Sequence, residues 1–359
     1  MIMSRRHPLD QHNSFWHKTL TCILYVSAIS LVCWHLGRDF AGDELLPIRW
    51  ANFMAPWIIY STMGLILFAV ATKRYVPTTS LSCALIITVL GTPGLAENTV
   101  SQLGFVQITN NAVASNATPP STRTPSISVI SFNVGSFNRK YEEITTLIKG
   151  NPAEIIFLQE VAKPRILLEQ LYKKNLLRRY NIHTDKTTGL VLLSLYAIKS
   201  ANRLPGVLTR YKIAHHTGSI SLWNTHVPRS IWSIKGQKKV IKNLADDVQR
   251  HPGPQIIAGD FNFTPYNDEF KKLVGNVNDQ RSIKSRPFSY PTPAVKTGIL
   301  GPWVQIDHII VSSHFSTNTQ TRLKNFAGSD HYPIAAQLRL RGNAYTGLGN
   351  GATGRPGEG

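Results

Sequence analysis

The chain has 359 residues, more than one ordinary domain holds, so two or more structural units are expected. Hydrophobic residues make up 42%, enough for a core, and the formal net charge is +19. The three cysteines, Cys22, Cys33 and Cys83, all fall in the apolar first third, which excludes a disulfide framework for the rest, and no Cys/His spacing suggests zinc. From Ile127 onward there are 31 Lys and Arg against 15 Asp and Glu, a surplus of 16. A surplus of that size favours a polyanionic partner, nucleic acid or an anionic membrane surface, over a basic face that is merely solvated.

Three stretches without Asp, Glu, Lys or Arg occupy the first hundred residues: Thr19–Gly37, Trp50–Thr72 and Tyr75–Ala96. Each reaches the roughly 20 residues that a membrane helix needs. Trp16, Trp34, Trp50, Trp57 and Tyr75 lie near their ends, where an aromatic belt is expected. The sequence therefore predicts an anchor of three transmembrane helices over residues 1–96. Arg5, Arg6 and Lys18 in the tail and Lys73-Arg74 in the second connection place those segments in the cytoplasm. Three crossings of the inner membrane then put the rest of the chain outside the cytoplasm.

Residues 97–126, rich in Asn, Ser, Thr and Pro, read as a flexible tether, and the glycine-rich residues 342–359 read as a disordered tail. Between them, residues 127–341 alternate strand-like and helix-like segments. Strands are expected at Ile127–Phe132, Glu154–Leu158, Gly189–Ile198, Gly218–Asn224, Gln255–Ala258, Gln305–Val311 and Ile334–Leu340. Helices are expected at Lys140–Lys149, Pro164–Leu177 and Ile234–Gln249. Strands outnumber helices, which suggests an α/β sandwich of two sheets with helices outside. Segments 179–188, 200–217 and 263–304 read as loops.

The polar side chains that bear chemistry cluster at strand ends, where loop residues converge. Asn133 ends the first strand, Glu160 follows the second, and His226 follows Gly218–Asn224. Asp260 and Asn262 lie in Gly259-Asp260-Phe261-Asn262, two residues apart. Asp307 lies within the run Gln305–Val311, where a charge is costly unless paired, and His331 of Ser329-Asp330-His331 is the expected partner. His308, next in the alternation, should face the other way. Carboxylates, an amide and an imidazole together are the parts needed to hold a hard cation and activate water.

The ordered set resembles the endonuclease/exonuclease/phosphatase superfamily. The matching stretches are SFNV at 131–134, FLQE at 157–160, GLVLLSLYAI at 189–198, NTH at 224–226, GDFN at 259–262, IDHIIVS at 306–312 and SDHYPI at 329–334. The N-terminal part is similar to the anchors of bacterial membrane-tethered members. The resemblance implies a four-layer α/β sandwich and a phosphoester hydrolase dependent on Mg²⁺, with Mn²⁺ as an alternative. Under it, Glu160 is the main metal ligand, with Asn133 and Asp330 near the metal or phosphate. His331 is the base that activates water, oriented by Asp307. Asp260 and Asn262 position the nucleophile and the phosphoryl oxygens, and His226 stabilises developing charge or protonates the leaving group. Nucleic acid is the favoured substrate, given the basic surplus. The alternative is a phospholipid or another phosphoester at the membrane surface, and a third reading is an inactive binding module. No protein partner can be inferred.

Overall fold

The computed structural model describes residues 8–92, 126–229, 234–276, 287–299, 301–316 and 320–341. The expected tether and tail lie almost wholly outside the described residues. Two compact units are present, the first carrying the N-terminal helices and the second carrying both sheets.

The first unit contains α1 (Pro8–Phe40), α2 (Leu46–Phe53), α3 (Ala55–Ala71) and α4 (Tyr75–Leu90). Only one of these, from Phe15 to Phe40, is long and apolar enough to cross a membrane by itself, against the three expected. The stretch read as the second span is broken: α2 and α3 meet at a bend of 77°. Pro56 explains the break. It stands in the first turn of α3, where its missing N–H and its ring prevent the bond back to the Asn52 carbonyl that would carry α2 through into α3. The third stretch gives a helix of only 16 residues, ended at Gly91. At 1.5 Å per residue that is about 24 Å, short of a hydrocarbon core of about 30 Å.

The second unit runs β1 (Ser126–Asn133), α5 (Tyr141–Gly150), β2 (Ile155–Gln159), α6 (Pro164–Lys173), β3 (Asn181–Asp185), β4 (Leu190–Ser194), β5 (Ala197–Leu204), β6 (Leu208–His215) and β7 (Gly218–His226). It continues with α7 (Lys235–Arg250), β8 (Gln255–Asp260), α8 (Asp268–Asn276), β9 (Asp307–Val311), β10 (Phe315–Ser316), β11 (Gln320–Arg322) and β12 (Ile334–Leu340). One sheet has the order β10-β12-β1-β2-β4-β3, with β11 also on β12; the other has the order β5-β6-β7-β8-β9. Both are mixed. Each has one parallel pair, β1–β2 in the first and β7–β8 in the second.

The two-residue alternation of the strands builds the layers. Val129, Ile155, Phe157 and Leu192 of the first sheet pack against Tyr211, Leu222, Ile256 and Ile309 of the second. The opposite faces take the helices. Phe132, Ile156 and Leu193 meet Ile144 and Leu147 of α5 and Leu167 and Leu171 of α6. Trp223, Ile257 and Ile310 meet Val240, Ile241 and Leu244 of α7. The result is two packed mixed sheets flanked by helices.

Three departures from the sequence reading concern sheet edges and one surface helix. The segment Gly189–Ile198 is not one strand: it leaves the first sheet after Ser194 and enters the second at Ala197. Segment 200–217 is largely the β5–β6 hairpin, and β3 lies in 179–188. The edge strands β3 (Asn181-Ile182-His183-Thr184-Asp185) and β5 are polar and partly exposed, as edge strands commonly are. Helix α8 lies in 263–304, also read as loop.

Candidate functional site

Strand pairing brings the functional side chains together: parallel β7 and β8 end side by side, and antiparallel β9 begins next to them. In the second sheet His226 is paired with Asp260, and Asp260 with Asp307, so three strands deliver three side chains in one row. In the first sheet Asn133 is paired with Gln159, the residue before Glu160. Asn224 ties the two sheets together beneath the row. It accepts from Gln159 Nε2 at 2.8 Å and donates to the carbonyls of Leu158 and Val191 at 3.0 and 3.1 Å.

The backbone at these ends is specialised. Glu160 has φ +56° and Asn262 has φ +52°, the left-handed region that side chains other than Asn and Asp seldom occupy. Gly259 precedes Asp260 because nothing larger fits: a Cβ there would lie 2.0 Å from the Thr225 carbonyl oxygen of the neighbouring strand. Close approach of β7 and β8 is what sets His226 beside Asp260.

The side chains form one connected network. Asn133 Nδ2 donates to Glu160 Oε1 and to Asp260 Oδ2, both at 3.0 Å, and its Oδ1 accepts from the Gly135 amide at 3.0 Å. The Ser136 amide donates to Glu160 Oε2 at 2.8 Å. His226 Nε2 is 3.4 Å from Glu160 Oε1 and 3.7 Å from Asp260 Oδ2. Asn262 turns both amide hydrogens inward, to Val227 O at 2.8 Å and Asp260 Oδ2 at 3.3 Å, and its backbone N–H donates to Asp260 Oδ1 at 2.9 Å. Asn262 therefore acts on Asp260 rather than offering a free donor.

On the other side, His331 Nδ1 is 2.8 Å from Asp307 Oδ2, the partner expected from the sequence. Ser289 Oγ donates to the same carboxylate oxygen at 2.6 Å. His331 Nε2 is 3.6 Å from Asp260 Oδ2 and, though buried, has no hydrogen-bond partner among the described residues. The Ser329 hydroxyl holds the motif in place, donating to Asn133 O at 2.6 Å and accepting from the His331 amide at 3.0 Å. His308 faces away, bonded to Phe263 O at 2.9 Å and packed on Phe263 and Phe270. Asp330 is half-buried, with Oδ1 3.2 Å from where a Cβ on Gly135 would be, and belongs to neither group of converging ligand atoms among the described residues.

Burial and charge set the protonation. Burial works against charge on His331, but Asp307 and Asp260 outweigh it and hold the imidazole up at about 10. Burial pushes the Asp260 carboxyl up; His331 pulls it down and Asp307 pushes it further up. For Glu160 burial is opposed by the Asn133 amide, His226 and Ser136, and the carboxyl ends below its ordinary value. The Glu160 side chain is 19% exposed, against 1% for Asp260 and for Asp307.

Several members carry no signal in the sequence that marks them in advance. Ser289 and Tyr290 come from the segment read as loop. The Tyr290 ring lies 4.8 Å from the His331 ring, and the Arg229 guanidinium lies over Tyr290 at 5.9 Å. Ser136 follows SFNV directly, and its contribution is a backbone N–H, which side-chain identity does not reveal. Asn224 is part of NTH, but only pairing between sheets shows what it does.

The donor set fits a hard divalent cation. One ligand atom from each of Glu160, His226 and Asp260 lies within 4.8 Å of the others, and Asp260, Asp307 and His331 form a second such group. Two oxygens bound to one Mg²⁺ at about 2.1 Å lie at most about 4.2 Å apart, so Glu160 and Asp260 need little movement to share an ion. His331 Nε2 faces the same carboxylate, 3.6 Å from Asp260 Oδ2, without a hydrogen bond among the described residues.

The family model described as "Endonuclease/Exonuclease/phosphatase family" matches residues 130–331, more than half of the chain. Among solved structures, the chain is similar to an endonuclease/exonuclease/phosphatase family protein from Bacteroides thetaiotaomicron, at 17% identity over 62% of this chain and 97% of that one, with a TM-score of 0.47. It is similar to D. rerio TDP2 complexed with a single-strand DNA product, at 14% identity over 60% of this chain and 99% of that one, with a TM-score of 0.48. It is also similar to beta toxin from Staphylococcus aureus, at 16% identity over 58% of this chain and 99% of that one, with a TM-score of 0.45. No curated protein matches the sequence. The chain belongs to the endonuclease/exonuclease/phosphatase family and is a metal-dependent phosphoric ester hydrolase.

Proposed function

We propose that the chain is a membrane-anchored, Mg²⁺-dependent phosphodiesterase of nuclease type in which His331 activates water. The observation that carries this reading is the state of His331. Its Nδ1 is held by Asp307 at 2.8 Å, while the buried Nε2 makes no hydrogen bond among the described residues. An imidazole fixed in this way presents a single nitrogen for proton transfer.

In this reading Glu160, with Asn133 and Asp260, holds the ion, and Asp330 faces the phosphate from the mouth. A divalent cation bound there, Mg²⁺ or alternatively Mn²⁺, neutralises charge on the phosphoryl oxygens and lowers the proton affinity of the neighbouring imidazole. His331 Nε2 takes the proton of the attacking water, and Asp307 keeps the other proton on Nδ1. General base catalysis of this kind contributes about 10²–10⁴-fold. Asp260, fixed by Asn262, positions the nucleophile. His226, half-exposed beside Glu160, stabilises developing charge or protonates the leaving oxygen. Arg229, exposed over Tyr290, adds a cation at the rim for a second phosphate of a polymeric substrate.

Residues 1–96 then anchor the chain, 97–126 tether it, 127–341 catalyse and 342–359 form a tail, with the catalytic face outside the cytoplasm. The surplus of 16 positive charges from Ile127 onward favours nucleic acid. The apolar helix Phe15–Phe40 supports a second reading, a phospholipid substrate, because it would hold the domain close to headgroups. A substrate panel on the full chain separates the two: DNA, RNA, sphingomyelin and phosphatidylcholine, each with Mg²⁺, Mn²⁺ or chelator. Metal-dependent cleavage of nucleic acid is expected; activity confined to lipid headgroups would reject the nuclease reading. A reporter fused after Ala96 tests which side of the membrane the domain occupies.

A further inference from the structure

Within the first unit, α1 and α4 run parallel, and two side-chain bonds fix their register. At one end Arg74 Nη1 donates to Thr21 Oγ1 at 2.9 Å; at the other, Arg38 donates to Thr92 Oγ1. A cavity of about 370 Å³ opens at the first end, lined by His17, Lys18, Thr21, Cys22 and Tyr25 of α1 and by Arg74, which caps α4. The five α1 residues follow a spacing that places them along one helix face.

The charge of this cavity is unbalanced. Lys18 and Arg74 form no ion pair among the described residues, and the sequence has no Asp or Glu from Gln11 to Arg38 or from Arg49 to Ala96. Thr21 spends its hydroxyl hydrogen on His17 O at 2.9 Å and so presents a lone pair to Arg74. That bond holds the guanidinium in place and leaves most of its five N–H donors for a ligand. The aromatic side chains of Phe15, Trp16 and Tyr75 are 63%, 58% and 63% exposed at the same end of the helices. Aromatic rings and Lys or Arg at the end of an apolar helix mark the depth of lipid headgroups. A soluble anion would need none of this apolar surround.

We propose that this cavity binds the phosphate of an anionic phospholipid, with Arg74 and Lys18 as its cations. The proposal rests on the membrane anchoring put forward above. It assigns the first unit a lipid-selective role in addition to attachment. Cations facing an anionic bilayer surface each contribute about 1 kcal/mol, so removing two should weaken binding about 30-fold.

The test is native mass spectrometry of the full-length protein in detergent, titrated with phosphatidylglycerol, phosphatidylcholine or inorganic phosphate. Phosphatidylglycerol adducts should persist on the wild type, exceed phosphatidylcholine adducts, and fall about 30-fold in Lys18→Gln/Arg74→Gln. The single variant Lys18→Gln alters only an exposed side chain and should lose part of the affinity without disturbing the fold. Equal retention of the two lipids, an unchanged double variant, or displacement by millimolar inorganic phosphate would each overturn the lipid site. Alkaline carbonate washing of membranes keeps the two readings apart. Wild type and double variant should both stay in the pellet; release of the wild type would overturn the anchor and the lipid site together.

Discussion

Asp307→Asn changes one atom and should cost most of the activity. The Asp307 carboxylate is buried, and its two oxygens differ: Oδ2 takes His331 Nδ1 at 2.8 Å and Ser289 Oγ at 2.6 Å, while Oδ1 has no hydrogen-bond partner among the described residues. An amide placed there has two orientations. With its oxygen in the Oδ2 position, both amide hydrogens point into the pocket where no acceptor waits, at a cost of about 1–3 kcal/mol for an unpaired buried group. With its nitrogen in that position, it donates to Nδ1 and to a rotated Ser289 hydroxyl, and leaves one unpaired oxygen, as the wild type does. The second orientation wins. It makes Nδ1 an acceptor and moves the ring proton to Nε2, the atom that has to receive a proton from water. Loss of the negative charge also lowers the imidazole from its value of about 10, since burial then acts with less opposition. In steady-state assays with saturating Mg²⁺, kcat/KM should fall about 10²–10⁴-fold. The loss should not recover at high pH, because the defect is the tautomer. Nitrogen-15 NMR of the ring should show the proton on Nε2. A variant within threefold of the wild type, or one with the proton still on Nδ1, would show that Asp307 does not orient the base.

Glu160→Gln should weaken Mn²⁺ binding, followed by calorimetry, on the order of 100-fold, while the exposed Glu169→Gln leaves it unchanged; equal affinities would place the ion elsewhere. Stability in chelator should depend on pH through His331. Its folded value of about 10 lies above its ordinary 6.5, so its contribution is fully present below about pH 6.5 and is lost as pH rises through about 10. The stability difference between wild type and His331→Gln, from denaturant titrations, should therefore shrink between pH 7 and pH 10.5; a difference that grows would reverse the assignment. Gly259→Ala puts a Cβ 2.0 Å from the Thr225 carbonyl oxygen and should destabilise by about 1–3 kcal/mol, with activity falling because Asp260 and His226 lose their spacing. An alanine variant as stable and active as the wild type would mean that β7 and β8 are not held this close.

The central strands were legible because they are buried on both faces and rich in Ile, Val and Leu. Ile155–Gln159 and Gln255–Asp260 are buried at every position, and the polar residues that end such runs stand out against them. Site residues drawn from these strand ends are brought together by pairing: parallel β1–β2 and β7–β8 align the ends that carry Asn133, Glu160, His226 and Asp260, and antiparallel β9 begins beside them with Asp307. The edges were not legible. Ala197–Leu204 alternates weakly and carries Lys199, Asn202 and Arg203, so nothing in its composition separates it from a loop. Ser289 and Tyr290 reach the site from an irregular segment, which hydrophobic period cannot place. At the N-terminus apolar length alone suggested three crossings. The backbone consequence of Pro56 and the early end of α4 at Gly91 decide otherwise.

The most direct test of the central claim is the rate of bis(p-nitrophenyl) phosphate hydrolysis by the full chain, wild type against His331→Ala, in Mg²⁺ and in chelator. With His331 as the base beside a metal held by Glu160 and Asp260, the wild type should turn over only in Mg²⁺, and the variant should be at least about 100-fold slower with its fold intact by circular dichroism. Equal rates for the two proteins, or a wild-type rate that survives the chelator, would contradict it.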